Sequence, residues 1–394
     1  MYTSSQRLGS GIYATVGSYA AIIYSVLLIF PAITGQLIDK YGINAESLGL
    51  LASVEMGGLS LATVPAYLWL TKVDPRRIVV ALSLVMILGN VYSAFAPSFS
   101  HLCVARVVTG AAAGSIAVVL LALSRRAPDS GKSLGVFVTA QLVMAAAMLA
   151  VYPYVFGKLG LTGLYLALAG LTALAMLTTR AICRNRLTPI KTGQSETAGR
   201  RAPRHRVVAG LAAITLFYVC LGGVWAFVGV VAEEGGISAT NSSTILAVAT
   251  AAGIASAALA TAIGETRRRT LYMTLGLVFM VVSVVAFVGT PETWRYSLAA
   301  VLFKFAWTFT LPFMLAGLAA LPGGDNVMNT TNLMLGIGST AGPYLAGFWI
   351  SRMGGMDSML LAAAVGLIVT IGCALVLESR SRQSSLPVAQ EEAA

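Results

Sequence analysis

The sequence predicts an all-α integral membrane protein, with twelve transmembrane helices in two related groups of six. Three observations carry that expectation. Twelve stretches stay apolar long enough to cross a bilayer, whose hydrocarbon core of roughly 30 Å takes about 20 residues of helix. Hydrophobic residues make up 57% of the chain and charged ones only 10%, a balance foreign to ordinary soluble domains. Lys and Arg gather on one side of the spans, which sets an orientation.

In chain order the spans are 12–37, 47–70, 78–96, 98–123, 133–156 and 160–179, then 207–232, 240–263, 271–289, 296–320, 328–350 and 357–377. The first begins behind Arg7 and ends before Lys40. It shows no small-residue cleavage site, so it reads as a retained helix and not a removed signal peptide. Spans two and three flank Lys72, Arg76 and Arg77; four and five flank Arg125, Arg126 and Lys132; five and six flank Lys158. Eight and nine flank Arg267, Arg268 and Arg269, nine and ten Arg295, and eleven and twelve Arg352, while Arg380 and Arg382 follow the last span. Lys40, Lys158, Arg295 and Arg352 fall on one side, and Arg106 and Lys304 lie within spans. The rest of the 26 basic residues share the other side, which the positive-inside rule assigns to the cytoplasm together with both termini. The expected location is the plasma (inner) membrane.

A formal charge of +11 raises the question of nucleic acid. The basic residues sit in short loops beside helix ends, however, where anionic lipid headgroups meet them, so no nucleic-acid partner is expected. Cys103, Cys183, Cys220 and Cys373 are scattered and form no CxxC pair, and His101 and His205 lack metal-ligand spacing. Neither metal nor cofactor is expected. Gly131-Lys132-Ser133 resembles the end of a phosphate loop, but Arg126 holds the required earlier glycine position and no strand precedes it. No nucleophile, base and acid stand together, so an enzyme is not expected.

Residues 181–206, rich in Arg, Ser, Thr, Gly and Pro, cannot bury enough apolar surface to fold alone and read as a cytoplasmic linker. They separate a six-helix bundle over 1–180 from a second over 207–379, followed by a tail at 380–394. The halves echo one another: Gly42-Ile43-Asn44-Ala45 before span two matches Gly236-Ile237-Ser238-Ala239 before span eight, and the same offset carries Tyr24 onto Tyr218. Asp129 likewise matches Asp325, and Gly170 matches Gly366. An internal duplication of this kind lets two halves rock about a central site.

Several motifs have family character. Arg106-Val-Val-Thr-Gly110-Ala-Ala-Ala-Gly114 on span four, Gly338-Ser-Thr-Ala-Gly342-Pro343 with Gly347 on span eleven, and Lys72-Val-Asp74-Pro75-Arg76-Arg77 between spans two and three resemble motifs of the major facilitator superfamily. The third is degraded, because Thr71 stands where an Asp is usual. Its second-half counterpart, Gly264-Glu265-Thr266-Arg267-Arg268-Arg269, keeps an acid beside its arginines. The resemblance covers essentially the whole chain and implies two pseudo-symmetric six-helix bundles that alternate access to a central site. It implies gating roles for Asp74, Arg76, Arg77, Gly110, Gly114, Glu265, Arg268, Gly342 and Pro343. Residues 135–150 on span five lack the Gly-Pro pair that antiporters of this family carry, which weighs against efflux.

Charges inside a bilayer are costly and tend to face a cavity and act. Glu55, Arg106 and Lys304 qualify, each about eight residues from its helix start and so roughly 12 Å deep, in one shared layer. The interiors of spans three, six, nine and twelve are free of charge, as the resemblance implies for outer, lipid-facing supports. Burial disfavours a carboxylate's charged form, so Glu55 with Arg106 is the candidate proton-coupling pair; a silent ion pair is the alternative. Lys304, Trp307 and Thr308 share a helical face and would show a cation, an indole and a hydroxyl to an organic anion. The alternative is that the lysine snorkels outward. Arg106, Tyr24, Tyr218, Trp225 and Gln141 complete the candidate substrate contacts.

The expected function is therefore proton-coupled uptake of a small amphipathic organic anion, an aromatic or other carboxylate, by a monomer in the lipid bilayer. Efflux of drugs or metabolites by proton antiport, and a non-transporting membrane sensor, are the competing expectations.

Overall fold

The computed structural model describes residues 4–70, 72–182, 203–264, 266–322 and 324–379, which are helical nearly throughout and contain no strand. Helices α1 (Ser4–Ile23) and α2 (Ser25–Tyr41) together make the first span. Spans two to six are α3 (Ala45–Trp69), α4 (Pro75–Ala94), α5 (Phe99–Ser124), α6 (Ser130–Val151) and α7 (Phe156–Met176). Spans seven to twelve are α8 (Arg204–Glu234), α9 (Ala239–Ile263), α10 (Arg269–Ala286), α11 (Thr293–Ala319), α12 (Gly324–Arg352) and α13 (Gly355–Glu378). Eleven of these stretches are long and apolar enough to cross a membrane, with α1 and α2 taken as one. The 25-residue α3 is the twelfth.

Two differences from the expected spans have local causes. The first span is broken at Tyr24, whose φ of −101° and ψ of 1° lie outside helical values. The fifth stops at Val151 and not at 156, because Pro153 in the turn that follows has no N–H to continue the ladder. The chain re-enters a helix at Phe156 and kinks once more at Gly160, φ 66°.

The sequence repeat has a structural meaning. Gly42 and Gly236 both adopt positive φ, 60° and 71°, a conformation that costs glycine little and ends the helix before it. The residue two places on then caps the next helix: Asn44 Oδ1 accepts from Ser47 N at 2.9 Å, and Ser238 Oγ from Asn241 N at 3.3 Å. One stop-and-restart device thus sets the turn into α3 and into α9.

Within the first half, α5 packs on α3 and α4, α4 on α7, and α1 on α6; within the second, α8 packs on α13, α9 on α11, and α10 on α11 and α13. Contacts of α3 with α12, α6 with α9, and α2 with α8 join the halves. Large aliphatic side chains such as Leu88 on α4, Leu174 on α7, Val282 on α10 and Val365 on α13 stay exposed, as a lipid-facing belt requires.

Candidate functional site

The three intramembrane charges are all buried, and they form two sites and not one. Glu55, Arg106 and Asn90 belong to a cavity of about 20 Å³ inside the first half, closed by Ile22, Met86, Gly110 and Leu168. Glycine is what brings α3 and α5 together there. A Cβ on Gly110 would come within 2.5 Å of the Glu55 carbonyl, and one on Gly114 would meet the Leu59 carbonyl even more closely. Only backbone contact at that distance lets the Glu55 side chain reach α5. Arg106 Nε stands 3.9 Å from Glu55 Oε1, an ion pair too long for a hydrogen bond. Its Nη1 donates to Asn90 Oδ1 at 3.1 Å, and its guanidinium lies 5.1 Å from the Tyr165 ring centre. Arg106 therefore turns toward α4 and α7, the supports, and not toward Lys304 in the second half.

Lys304 has a different environment. It is 1% exposed, its ammonium makes no hydrogen bond, and among the described residues no carboxylate pairs with it. Its Nζ lies 3.8 Å from the ring centres of both Trp225 and Trp307. The two indoles meet edge to face at 5.9 Å, and Phe303 stacks behind Trp225 at 6.4 Å. The lysine stem fits because α9 presents Gly253, where a Cβ would stand 3.1 Å from Lys304 Cγ. Cation–π contact compensates part of the cost of burying an ammonium, and an anion would supply the rest. The cage thus sets the Lys304 amine among apolar, aromatic walls.

The remaining candidates divide. Trp225 joins the cage, and its indole N–H donates to the Leu27 carbonyl of the first span at 3.1 Å. Tyr24 and Tyr218 are half-buried, on the first span and on α8. Tyr24 also meets Phe137 edge to face at 6.2 Å. Gln141 is half-buried on α6. Thr308, expected to face the cavity, instead directs its hydroxyl to the Gly253 carbonyl at 2.9 Å, because α9 packs against that face of α11.

Of the gating candidates, Asp74 caps α4, accepting from the backbone N–H groups of Arg76 and Arg77 at 2.9 and 3.3 Å, with the Arg77 side chain 3.6 Å away. Arg268 is exposed at the start of α10, and Glu265 lies outside the described residues. A second ion pair at this end is one that sequence reasoning missed. Arg269 forks onto Glu378 at the end of α13, with bonds of 2.9 and 2.8 Å, and also donates to the Ala316 carbonyl of α11. No spacing signal links residues 109 positions apart. Gly342 and Pro343 place α12 between α3 and α8: a Cβ on Gly342 would meet the Val219 carbonyl at 2.5 Å, and Gly49 lies directly against the Pro343 carbonyl.

The halves meet at the middle and at the end away from Arg76, Arg125 and Arg269. Ser53 Oγ accepts from Tyr344 N at 2.8 Å, Ser351 Oγ from Glu46 N at 3.2 Å, and Arg352 lies 3.6 Å from Glu46. That same end carries a cleft of about 670 Å³ lined by Gln36, Asp39, Lys158, Glu233 and Ser243, none of which was a candidate.

The family model of the Major Facilitator Superfamily matches residues 15–326. The chain belongs to this family of transporters. Its fold is similar to that of a mutant form of the nucleoside transporter NupG, at a TM-score of 0.75 and 10% identity over 94% of this chain and 100% of that one. It is also similar to the POT family transporter PepTSo, at 0.72 and 11% over 94% and 97% of the two chains. A bacterial homolog of the human lysosomal transporter Spinster, in an inward-facing and occupied conformation, gives 0.64 and 14% over 95% and 94%. At these identities the likeness speaks for the fold. The two pseudo-symmetric six-helix bundles are those of this superfamily.

Proposed function

We propose that this superfamily member takes up a small amphipathic organic anion, an aromatic or other carboxylate, together with a proton. The observation that supports this most is the Lys304 amine, held 3.8 Å from two indole faces with no counter-ion among the described residues. Aromatic walls suit an apolar body, and the unpaired cation suits a carboxylate. Proton coupling falls to Glu55, the buried carboxylate beside Arg106. Protonating it removes Arg106's carboxylate partner in the described structure while Asn90 and Tyr165 remain, so the packing of α3 on α5 responds to one proton.

The basic end faces the cytoplasm in this reading, with both termini there, in the plasma membrane. The working unit is a monomer. Uptake of labelled benzoate into proteoliposomes under an inward proton gradient tests the proposal, with protein-free liposomes as control for passive entry. Uptake above that control, lost in Lys304→Met, is the expected result. Extrusion of benzoate against the control, or uptake indifferent to Lys304, overturns it; extrusion would mark an efflux antiporter.

A further inference from the structure

We infer that Trp225 is a positioning residue that ties the anion-attracting lysine to the closure of the two halves, an inference resting on the anion reading of Lys304. Three contacts converge on this side chain and its neighbourhood. Pro31 has no N–H, so the carbonyl four residues earlier, that of Leu27, loses its helical partner. The Trp225 indole N–H takes its place from the other half at 3.1 Å. One turn along α8, Gly229 lies against the Pro31 carbonyl itself, nearer than any side chain would permit. The face of the same indole carries the Lys304 ammonium.

Trp225 therefore holds the first half by its edge and the charge site by its face. The cage is closed, with Lys304 1% exposed, so a carboxylate reaches the ammonium only after the cage opens. An ammonium drawn toward a carboxylate leaves the indole face. The indole then loses one of its two anchors, and its bond to Leu27 is held by the N–H alone. Occupancy in the second half is thereby transmitted to the first span, three residues from its break at Tyr24. An indole that merely satisfies its own N–H would transmit nothing.

The test uses the full-length protein carrying Glu46→Cys and Ser351→Cys, positions joined across the closed end by a backbone-to-hydroxyl bond of 3.2 Å. The rate of oxidative cross-linking of the pair reports closure, with each single cysteine variant as control for the native thiols. Trp225→Phe keeps an aromatic face and removes the N–H, and is expected to slow cross-linking at least threefold without any ligand. Pro31→Ala gives the Leu27 carbonyl a backbone N–H of its own and is expected to slow it in the same direction, so the inference does not depend on one variant folding. Benzoate is expected to slow cross-linking when Trp225 and Lys304 are native and to have no effect in Lys304→Met. Cross-linking in both Trp225→Phe and Pro31→Ala at the native rate overturns the latch. Slowing by those variants without any response to benzoate keeps Trp225 as a tie between the halves and removes the anion reading.

Discussion

Replacing Lys304 by Met should make the protein more stable while removing its response to anions. The unbranched thioether keeps the stem that fills the space beside Gly253 and deletes only the amine. That amine gains cation–π attraction from two desolvated faces at 3.8 Å, about 2 kcal/mol each. Against this stand the cost of burying an unpaired ammonium, several kcal/mol after relaxation, and N–H donors without an acceptor, about 1–3 kcal/mol. The burial cost meets or exceeds the attraction, so the balance favours the apolar variant by on the order of 1 kcal/mol. For a unit the size of one half, each kcal/mol moves Tm by about 2–4 °C. Thermal unfolding of detergent-purified protein, followed by tryptophan fluorescence with and without benzoate, is the assay. The expected result is a Tm a few degrees above wild type that benzoate no longer raises. A Tm several degrees lower, with benzoate stabilisation retained, would refute the reasoning, since the amine would then be a satisfied structural group.

Further outcomes follow from the same geometry. Glu55→Gln should preserve exchange of labelled benzoate across the membrane and lose acceleration by an imposed pH gradient; an unchanged dependence on the gradient rules out its proton role. Gly114→Ala should cost about 1–3 kcal/mol by overpacking against the Leu59 backbone, offset by roughly 1 kcal/mol of helix propensity. Gly135→Ala, in open space on α6, should gain up to about 1 kcal/mol, so a lower Tm for Gly114→Ala than for Gly135→Ala is the check. Glu378→Gln weakens the forked pair with Arg269 and should lower Tm by an amount that shrinks in high salt, because the Arg269 side chain is 26% exposed.

The fold was legible because hydropathy and loop charge are properties of composition along the chain, and both survive in a single sequence. The repeat at Gly42 and Gly236 was legible for a local reason: a left-handed stop followed by a capping side chain needs those residue types wherever it occurs. The site was legible only as residue identities. Glu55, Arg106 and Lys304 stood out as charges in apolar runs, yet their depth placed them in one layer, and the structure separates them into two environments. Spans that are apolar nearly all round carry no stripe to say which way they turn. Rotation is set instead by glycine contacts, such as those that Gly110 and Gly114 of α5 make with α3 or Gly253 makes with Lys304, and these appear only when helices are packed. The same limit hid Asn90 and Tyr165 as partners of Arg106, gave Thr308 to the wrong neighbour, and concealed the Arg269–Glu378 pair.

Calorimetric titration of the purified protein with benzoate, repeated in two buffers of different ionisation enthalpy, counts the protons taken up as the anion binds. Linked binding predicts close to one proton per anion in the wild type, no proton uptake in Glu55→Gln, and no binding heat in Lys304→Met. Binding that takes up no proton, or that persists undiminished in Lys304→Met, would contradict the coupling of a buried carboxylate in one half to an anion at the caged lysine of the other.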